Sequence, residues 1–239
     1  MKKVLLKIES LWSKGDSGEI LRGINLKLGP GETQALLGPN ASGKSTLAQV
    51  ILGNPKYKII RGKIYFLGKD ITRFSPERRA KLGMALVWQM PPTIKGVKLS
   101  ALLEKISKEK IETTEGEELL EREINVDFSG GERKISEILQ TIALKPRLVI
   151  FDEVDSGLDI KKIETVAKII KRELISRKIA ILIITHSGQI LKFLKPAFTN
   201  VLVKGRIICK EKNYKKILKV IAKYGYEKCK KCPFLAGRQ

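Results

Sequence analysis

Three short apolar runs in the chain each end abruptly at a polar or turn-forming group. They are Gln34-Ala35-Leu36-Leu37 before Gly38, Leu148-Val149-Ile150-Phe151 before Asp152, and Ala180-Ile181-Leu182-Ile183-Ile184-Thr185 before His186. Continuous apolarity over so few residues, without alternation, is the pattern of strands buried on both faces of a parallel sheet. Helical spacing appears between them. Leu47, Val50 and Ile51 share a face that stops at Gly53-Asn54-Pro55, and Ile135, Ile138, Leu139 and Ile142 form a second stripe. Ile163, Val166, Ala167, Ile170 and Leu174 form a third, within a helix expected over residues 162–174. Strands alternating with helices predict an α/β core around a mainly parallel sheet.

Elsewhere the pattern is more local. Residues 5–28 read as strands of an N-terminal antiparallel β-subdomain, turning at Gly15-Asp16-Ser17-Gly18, and Gly62-Lys63-Ile64-Tyr65-Phe66-Leu67-Gly68 adds a short strand and turn. Pro91-Pro92 breaks the chain after Gln89. Two short, highly charged helices are expected next, at 101–107 and 115–122, as a small helical subdomain. The division is then one core from 1–90 and 128–239, carrying the β-subdomain and a C-terminal extension, with 91–127 inserted into it. No internal repeat or low-complexity linker interrupts this plan.

At 239 residues the chain can bury one substantial core plus a small insertion. It has no apolar run of about eighteen residues, and Ile8-Glu9-Ser10 interrupts the N-terminal stretch too soon for a signal peptide. Three cysteines make no disulfide framework. A soluble, cytoplasmic protein without direct membrane insertion is expected. The formal net charge of +22 raises the question of nucleic acid, but the basic residues are spread along the chain and no base-stacking module is visible. This argues for a general surface bias, or for docking on an acidic protein partner, over nucleic-acid binding. Cys229-Lys230-Lys231-Cys232 is half of a tetrahedral zinc site with no second pair in the chain. It reads as a basic tail with two reduced thiols, or as a metal or cluster site shared across a dimer.

The chemistry begins where the first run ends. Gly38-Pro39-Asn40-Ala41-Ser42-Gly43-Lys44-Ser45-Thr46 is a phosphate-binding loop between a strand and a helix. Its backbone N–H groups and the helix dipole favour a triphosphate, Lys44 reaches the β- and γ-phosphates, and the Ser45 hydroxyl suits Mg²⁺. Asp152, at a strand's C-terminal end, can hold Mg²⁺ opposite Ser45, and Glu153 next to it can orient and polarise the attacking water. His186, the only histidine, ends the third strand where it can reach a γ-phosphate. Ser129 and Glu132 form an S-x-x-E capping box, while Gly130 and Gly131 leave the helix N-terminus open to an anion. Since one loop already cradles this chain's own phosphates, that second anion site would serve the nucleotide of another subunit.

Together these motifs resemble the nucleotide-binding subunits of ATP-binding-cassette (ABC) proteins, from about Leu5 to Gly205. The resemblance implies a P-loop NTPase fold and hydrolysis of ATP to ADP and phosphate. It implies Gln89 as the Q-loop glutamine beside Mg²⁺ with Ser45 and Asp152, and Ser129-Gly130-Gly131-Glu132 as the signature that acts in trans. It also implies Asp159 in the D-loop, Glu153 as the catalytic glutamate and His186 as the switch histidine. Trp12 either stacks on adenine or packs half-buried in its strand.

A narrower likeness is to the ATPase subunit (SufC) of the Suf iron–sulfur cluster assembly machinery. It is carried by residues 125–134 with Glu137-Ile138-Leu139-Gln140, by residues 152–160, by Ile94-Lys95-Gly96-Val97, by Lys195-Pro196 and by Tyr224-Gly225-Tyr226. Lys95 departs from that pattern's proline and Ser187 from its frequent tyrosine, and the segment between Gln89 and Ser129 is shorter than usual. That likeness implies SufB/SufD-like scaffold subunits as partners and a transient ATP-dependent homodimer. The alternative is the ATP-binding subunit of a membrane ABC transporter.

Overall fold

The apolar runs assemble as neighbours in one sheet. A computed structural model of the chain describes residues 4–88, 91–107 and 115–226. Its main sheet holds β3 (Thr33–Leu37), β6 (Met84–Val87), β9 (Leu148–Asp152), β10 (Ala180–Thr185), β11 (Phe198–Val203) and β12 (Arg206–Glu211), in the order β12-β11-β3-β10-β9-β6. All neighbours are parallel except the edge pair β11–β12. The register sets Ile184 beside both Leu36 and Asp152, and Val87 beside Phe151. The C-terminal ends of four parallel strands therefore finish almost level, which brings the loops after them to one edge.

Alternate residues of these strands feed two cores. Ala35, Leu37, Val149, Phe151, Ile181 and Ile183 pack with α3 (Leu99–Ser107), α4 (Gly130–Ala143), α5 (Ile160–Ile170), α6 (Leu191–Leu194) and α7 (Tyr214–Tyr224). Leu36, Leu148, Ile150, Leu182 and Ile184 pack with α1 (Lys44–Ile51) and with a second sheet. That sheet is antiparallel, in the order β2-β1-β4-β5, from β1 (Leu6–Gly15), β2 (Gly18–Leu28), β4 (Lys58–Phe66) and β5 (Lys69–Asp70). The β1–β2 turn falls at Asp16-Ser17, as the sequence predicts. Strand β4 starts earlier than the apolar pattern suggests, because its polar first half still pairs with β1 as far as Lys14↔Lys58.

The insertion departs from the expected helix pair. Among the described residues one α-helix forms, α3. The second expected helix is only a 3-10 turn, Glu117–Leu119, and an antiparallel ribbon of β7 (Ile94–Lys98) and β8 (Glu123–Ile124) frames the unit. Leu99 and Ser100 donate their N–H groups to the carbonyls of Arg122 and Leu120, so these carbonyls find partners outside a helix. Helix α5 starts at Ile160, and its continuation Lys171–Ile175 is a π-helical turn that still buries Leu174.

A short helix absent from the sequence reading, α2 (Pro76–Lys81), carries Arg79, which is 1% exposed. Its guanidinium donates to the carbonyls of Val50 and Ile51 at the end of α1, and to those of Thr72 and Phe74. Burial lowers its pKa to about 10, so it stays charged at neutral pH. It supplies a further donor to carbonyls at the C-terminal end of the helix that follows the phosphate loop.

Candidate nucleotide site

The loop between β3 and α1 has the shape its sequence predicts. A Cβ on Gly38 would lie 2.3 Å from the Leu202 carbonyl oxygen and 2.7 Å from Ser42 Oγ, so only glycine lets the chain leave β3 at this angle. Gly205 braces the loop by donating to the Ser42 carbonyl at 3.0 Å. Helix α1 has Gly43 at its N-cap and no side-chain cap, which leaves its first N–H groups for an anion. Ser42 Oγ is buried in the same loop and makes no hydrogen bond to the described chain. Both features fit a bound phosphate.

The Lys44 ammonium folds over the loop and donates to the carbonyls of Gly38 and Pro39, each at 2.9 Å. Burial pulls its pKa below the usual lysine range, against the opposing pull of Glu153 and Asp152. A triphosphate would give this buried cation a stronger counter-charge than two carbonyls do.

The acidic half of the site comes from β9. Ser45 Oγ donates to Asp152 Oδ1 at 3.1 Å, and Asp152 is 6% exposed. Burial raises the Asp152 pKa; the Ser45 hydrogen bond opposes this, the neighbouring Glu153 adds to it, and Lys44 and Lys134 oppose it. Hard oxygen donors of this kind suit Mg²⁺, which binds through one or two protein oxygens plus substrate phosphates. No cluster of three or more His, Cys, Asp or Glu side chains that could hold a metal by itself occurs among the described residues.

Glu153 sits at φ 54°, a left-handed conformation that costs on the order of 1 kcal/mol for such a residue. Its N–H donates to the Ile184 carbonyl at 2.9 Å, which turns the chain out of β9 toward the end of β10. Glu153 Oε1 thereby lies 3.4 Å from His186 Nδ1. An acid–base pair thus stands at the edge that carries Lys44, Ser45 and Asp152.

Helix α4 opens with the predicted box. Ser129 N donates to Glu132 Oε2 at 2.8 Å and Glu132 N to Ser129 Oγ at 3.3 Å. Asp159 caps α5 in the same manner, accepting from Lys162 N at 2.9 Å. Helices α4 and α1 pack on opposite faces of the main sheet, so residues 129–132 and the loop 38–46 belong to different layers of one chain.

Some neighbours of the site escaped the sequence reading. Lys134 Nζ donates to the Trp88 carbonyl at 2.8 Å, and Trp88 N donates to Glu137 Oε2 at 2.7 Å. Two inward charges of α4 thus hold the chain next to Gln89, which itself lies outside the described residues. The signal available was their position three apart on the apolar side of a helix. Burial pushes the Glu137 pKa up to about 7, opposed by the Trp88 N–H and by Lys134. Trp12 is half-buried, with the Arg206 guanidinium 5.5 Å from its ring. Cys209 is buried, and Cys229 and Cys232 lie outside the described residues.

A sequence model of the ABC transporter family matches residues 21–156. The chain belongs to that family. An ATP-dependent transporter protein, ycf16, from Antithamnion sp. is 40% identical over 228 residues, covering 86% of this chain and 90% of the relative. Its counterpart from Cyanophora paradoxa is 37% identical, with 87% and 88% covered. An ABC transporter ATP-binding protein of Streptococcus pyogenes serotype M18 is 36% identical, with 85% and 87% covered. Among solved structures, a nucleotide-free ATP-binding cassette from an ABC transporter superposes with a TM-score of 0.78 at 22% identity, covering 95% of this chain and 98% of that one. An ADP-bound cassette gives 0.77 at 23% identity, with 98% and 99% covered.

As an ABC ATPase, the chain binds and hydrolyses ATP, and subunits of this kind dimerise and work with partner subunits. No helix among its described residues is long and apolar enough to cross a membrane.

Proposed function

We propose that this ATPase acts as a transient ATP-dependent homodimer, in the cytoplasm, whose closure drives conformational change in a SufB/SufD-like scaffold that builds iron–sulfur clusters. One observation carries the dimer: two helix N-termini suited to anions, those of α1 and α4, lie in layers on opposite faces of a single sheet. A chain that offers its own phosphate loop to a nucleotide presents its signature to a nucleotide held elsewhere. Two chains arranged head to tail would complete two sites.

In each site residues 38–46 cradle the phosphates, with Lys44 on the β- and γ-phosphates. Ser129, Gly130 and Gly131 of the second chain, with Glu132 as their cap, meet the γ-phosphate. Bound Mg²⁺, held by Ser45, Asp152 and Gln89, would neutralise the charge that develops on the phosphate oxygens. Glu153 orients and polarises the attacking water. His186, paired with Glu153, contacts the γ-phosphate. Asp159 lies in the loop that faces the second chain. Closure neutralises charge across the sandwich, and cleavage of the γ-phosphate releases it.

Support for the scaffold comes from residues 125–134 and 152–160, whose likeness is to the Suf ATPase subunit. The names of the relatives favour a second reading, in which the same closure drives a membrane transporter. Purification of the native complex separates the two. Co-purifying soluble scaffold subunits support the first reading, and a polytopic membrane protein refutes it.

A further inference from the structure

The segment that bears His186 is held from two sides by residues that play no part in the chemistry above. On one side stands Asp155, 5% exposed, two residues after Glu153. Its Oδ2 accepts from Thr185 Oγ1 at 2.9 Å and from Ser187 Oγ at 2.7 Å, the hydroxyls that flank His186. Each hydroxyl in turn accepts a backbone N–H, Thr185 Oγ1 from Gly188 at 3.0 Å and Ser187 Oγ from Gln189 at 3.2 Å. The loop after β10 is thereby folded around one buried carboxylate. Asp155 also opens the 155–159 segment, whose last residue caps α5.

On the other side stands the C-terminal helix. A Cβ on Gly188, at φ +69°, would meet Leu218 Cδ2 of α7 at 2.7 Å, so α7 packs directly on this loop. Gly225 ends α7 at φ 70°, and the chain turns so that Tyr226 Oη donates to the His186 carbonyl at 2.8 Å.

We propose that Asp155 and Tyr226 are positioning residues for His186, and that through them the 155–159 loop and the C-terminal helix set the histidine's distance from the γ-phosphate. The inference rests on the reading of His186 as a group that acts on that phosphate. If the histidine moves by a fraction of an ångström when either support is lost, turnover falls while ATP binding, which depends on residues 38–46, does not. Dimer closure, which engages the 155–159 loop, would then be felt at His186 through a carboxylate and two hydroxyls.

The test is a set of ATPase assays on full-length Tyr226→Phe, Asp155→Asn, Asp155→Ala and His186→Ala, alone and combined. The expected result is a fall in kcat of about 3- to 10-fold for Tyr226→Phe and for Asp155→Ala, with KM for ATP within about twofold. Asp155→Asn, which keeps an acceptor oxygen, should recover part of the loss. In the His186→Ala background neither Tyr226→Phe nor Asp155→Ala should lower kcat further, because both act through the missing ring. Multiplicative losses in that background, or KM rising as much as kcat falls, would overturn the inference. So would wild-type kcat in Tyr226→Phe, a variant mild enough to fold even if Asp155→Ala does not. If His186→Ala itself retains full turnover, the reading of the site fails and this inference with it. If His186→Ala is impaired while the two supports are neutral, the inference alone fails.

Discussion

Ser45 and Asp152 stand 107 positions apart in the chain, yet the serine hydroxyl donates to the aspartate at 3.1 Å. The bond joins the first turn of α1 to the end of β9 across a sheet register that local sequence does not encode. It also places two hard oxygen donors side by side, one on a carboxylate whose pKa burial raises. A divalent cation supplies the positive charge that such a carboxylate lacks.

Asp152→Asn should therefore raise the magnesium concentration needed for half-maximal ATPase activity by about tenfold or more. ATP binding measured in EDTA should change little, since Lys44 and the loop N–H groups do not depend on Asp152. Magnesium titration of both proteins checks this, and an unchanged requirement would place the ion elsewhere.

Removing a positioned catalytic group typically costs about 10²–10⁴ in rate. Glu153→Gln is expected to fall in that range while keeping ATP and forming a longer-lived dimer, because the water is no longer activated but the sandwich still closes. Light scattering with ATP, run beside a phosphate-release assay, reads both properties. Normal turnover in this variant would contradict the assignment.

Gly38→Ala tests the loop geometry. Its Cβ would stand 2.3 Å from the Leu202 carbonyl oxygen, a backbone atom of the neighbouring strand. Either β11 or the loop must shift, and ATP affinity should fall at least about tenfold by fluorescent nucleotide titration. Wild-type affinity would mean that the loop tolerates the shift.

Glu137 gives a signed pH dependence. Its folded pKa is about 7, raised above the ordinary carboxylate value of 4.5 by burial. The folded chain therefore binds more protons than the unfolded chain between these values. Stability from the neutral carboxyl is fully present below pH 4.5 and is lost as pH rises through 7, by up to roughly 3 kcal/mol. Glu137→Gln lacks this loss, so its Tm relative to wild type should climb between pH 5 and pH 8. A constant Tm difference across that range would refute the account.

Arg79→Met should be among the most destabilising single changes. It removes the donor shared by the carbonyls of Val50, Ile51, Thr72 and Phe74, of which Val50 keeps the Gly53 N–H. Unpaired buried acceptors cost about 1–3 kcal/mol each before relaxation, so a total of roughly 3 kcal/mol is expected in urea denaturation. A loss below about 1 kcal/mol would mean that water replaces the guanidinium.

The legible part of this protein was what short-range pattern encodes. Leu148–Asp152 and Ala180–Thr185 were readable as buried strands because both faces of each strand are covered, which forces every position to be apolar. The stripe Ile135, Ile138, Leu139, Ile142 and the Ser129–Glu132 box gave α4 its face and its start. The insertion is not legible in the sequence where backbone carbonyls of Leu120 and Arg122 pair with α3 instead of continuing a helix. Helix α7 is faint in the sequence, since it buries only Tyr214 and Ile217 among many lysines.

The sequence by itself determined which residue types could carry phosphate chemistry, and at which strand and helix ends they stand, because those signals lie within a few residues of one another. Tertiary structure alone decided that Ser45 reaches Asp152, that Glu153 turns toward His186, and that Asp155, Tyr226, Lys134 and Arg79 hold the frame around them. These contacts depend on strand register and on side chains that bind backbone carbonyls or distant hydroxyls. Neither leaves a periodicity in the chain, since a carbonyl is present at every residue whatever its side chain.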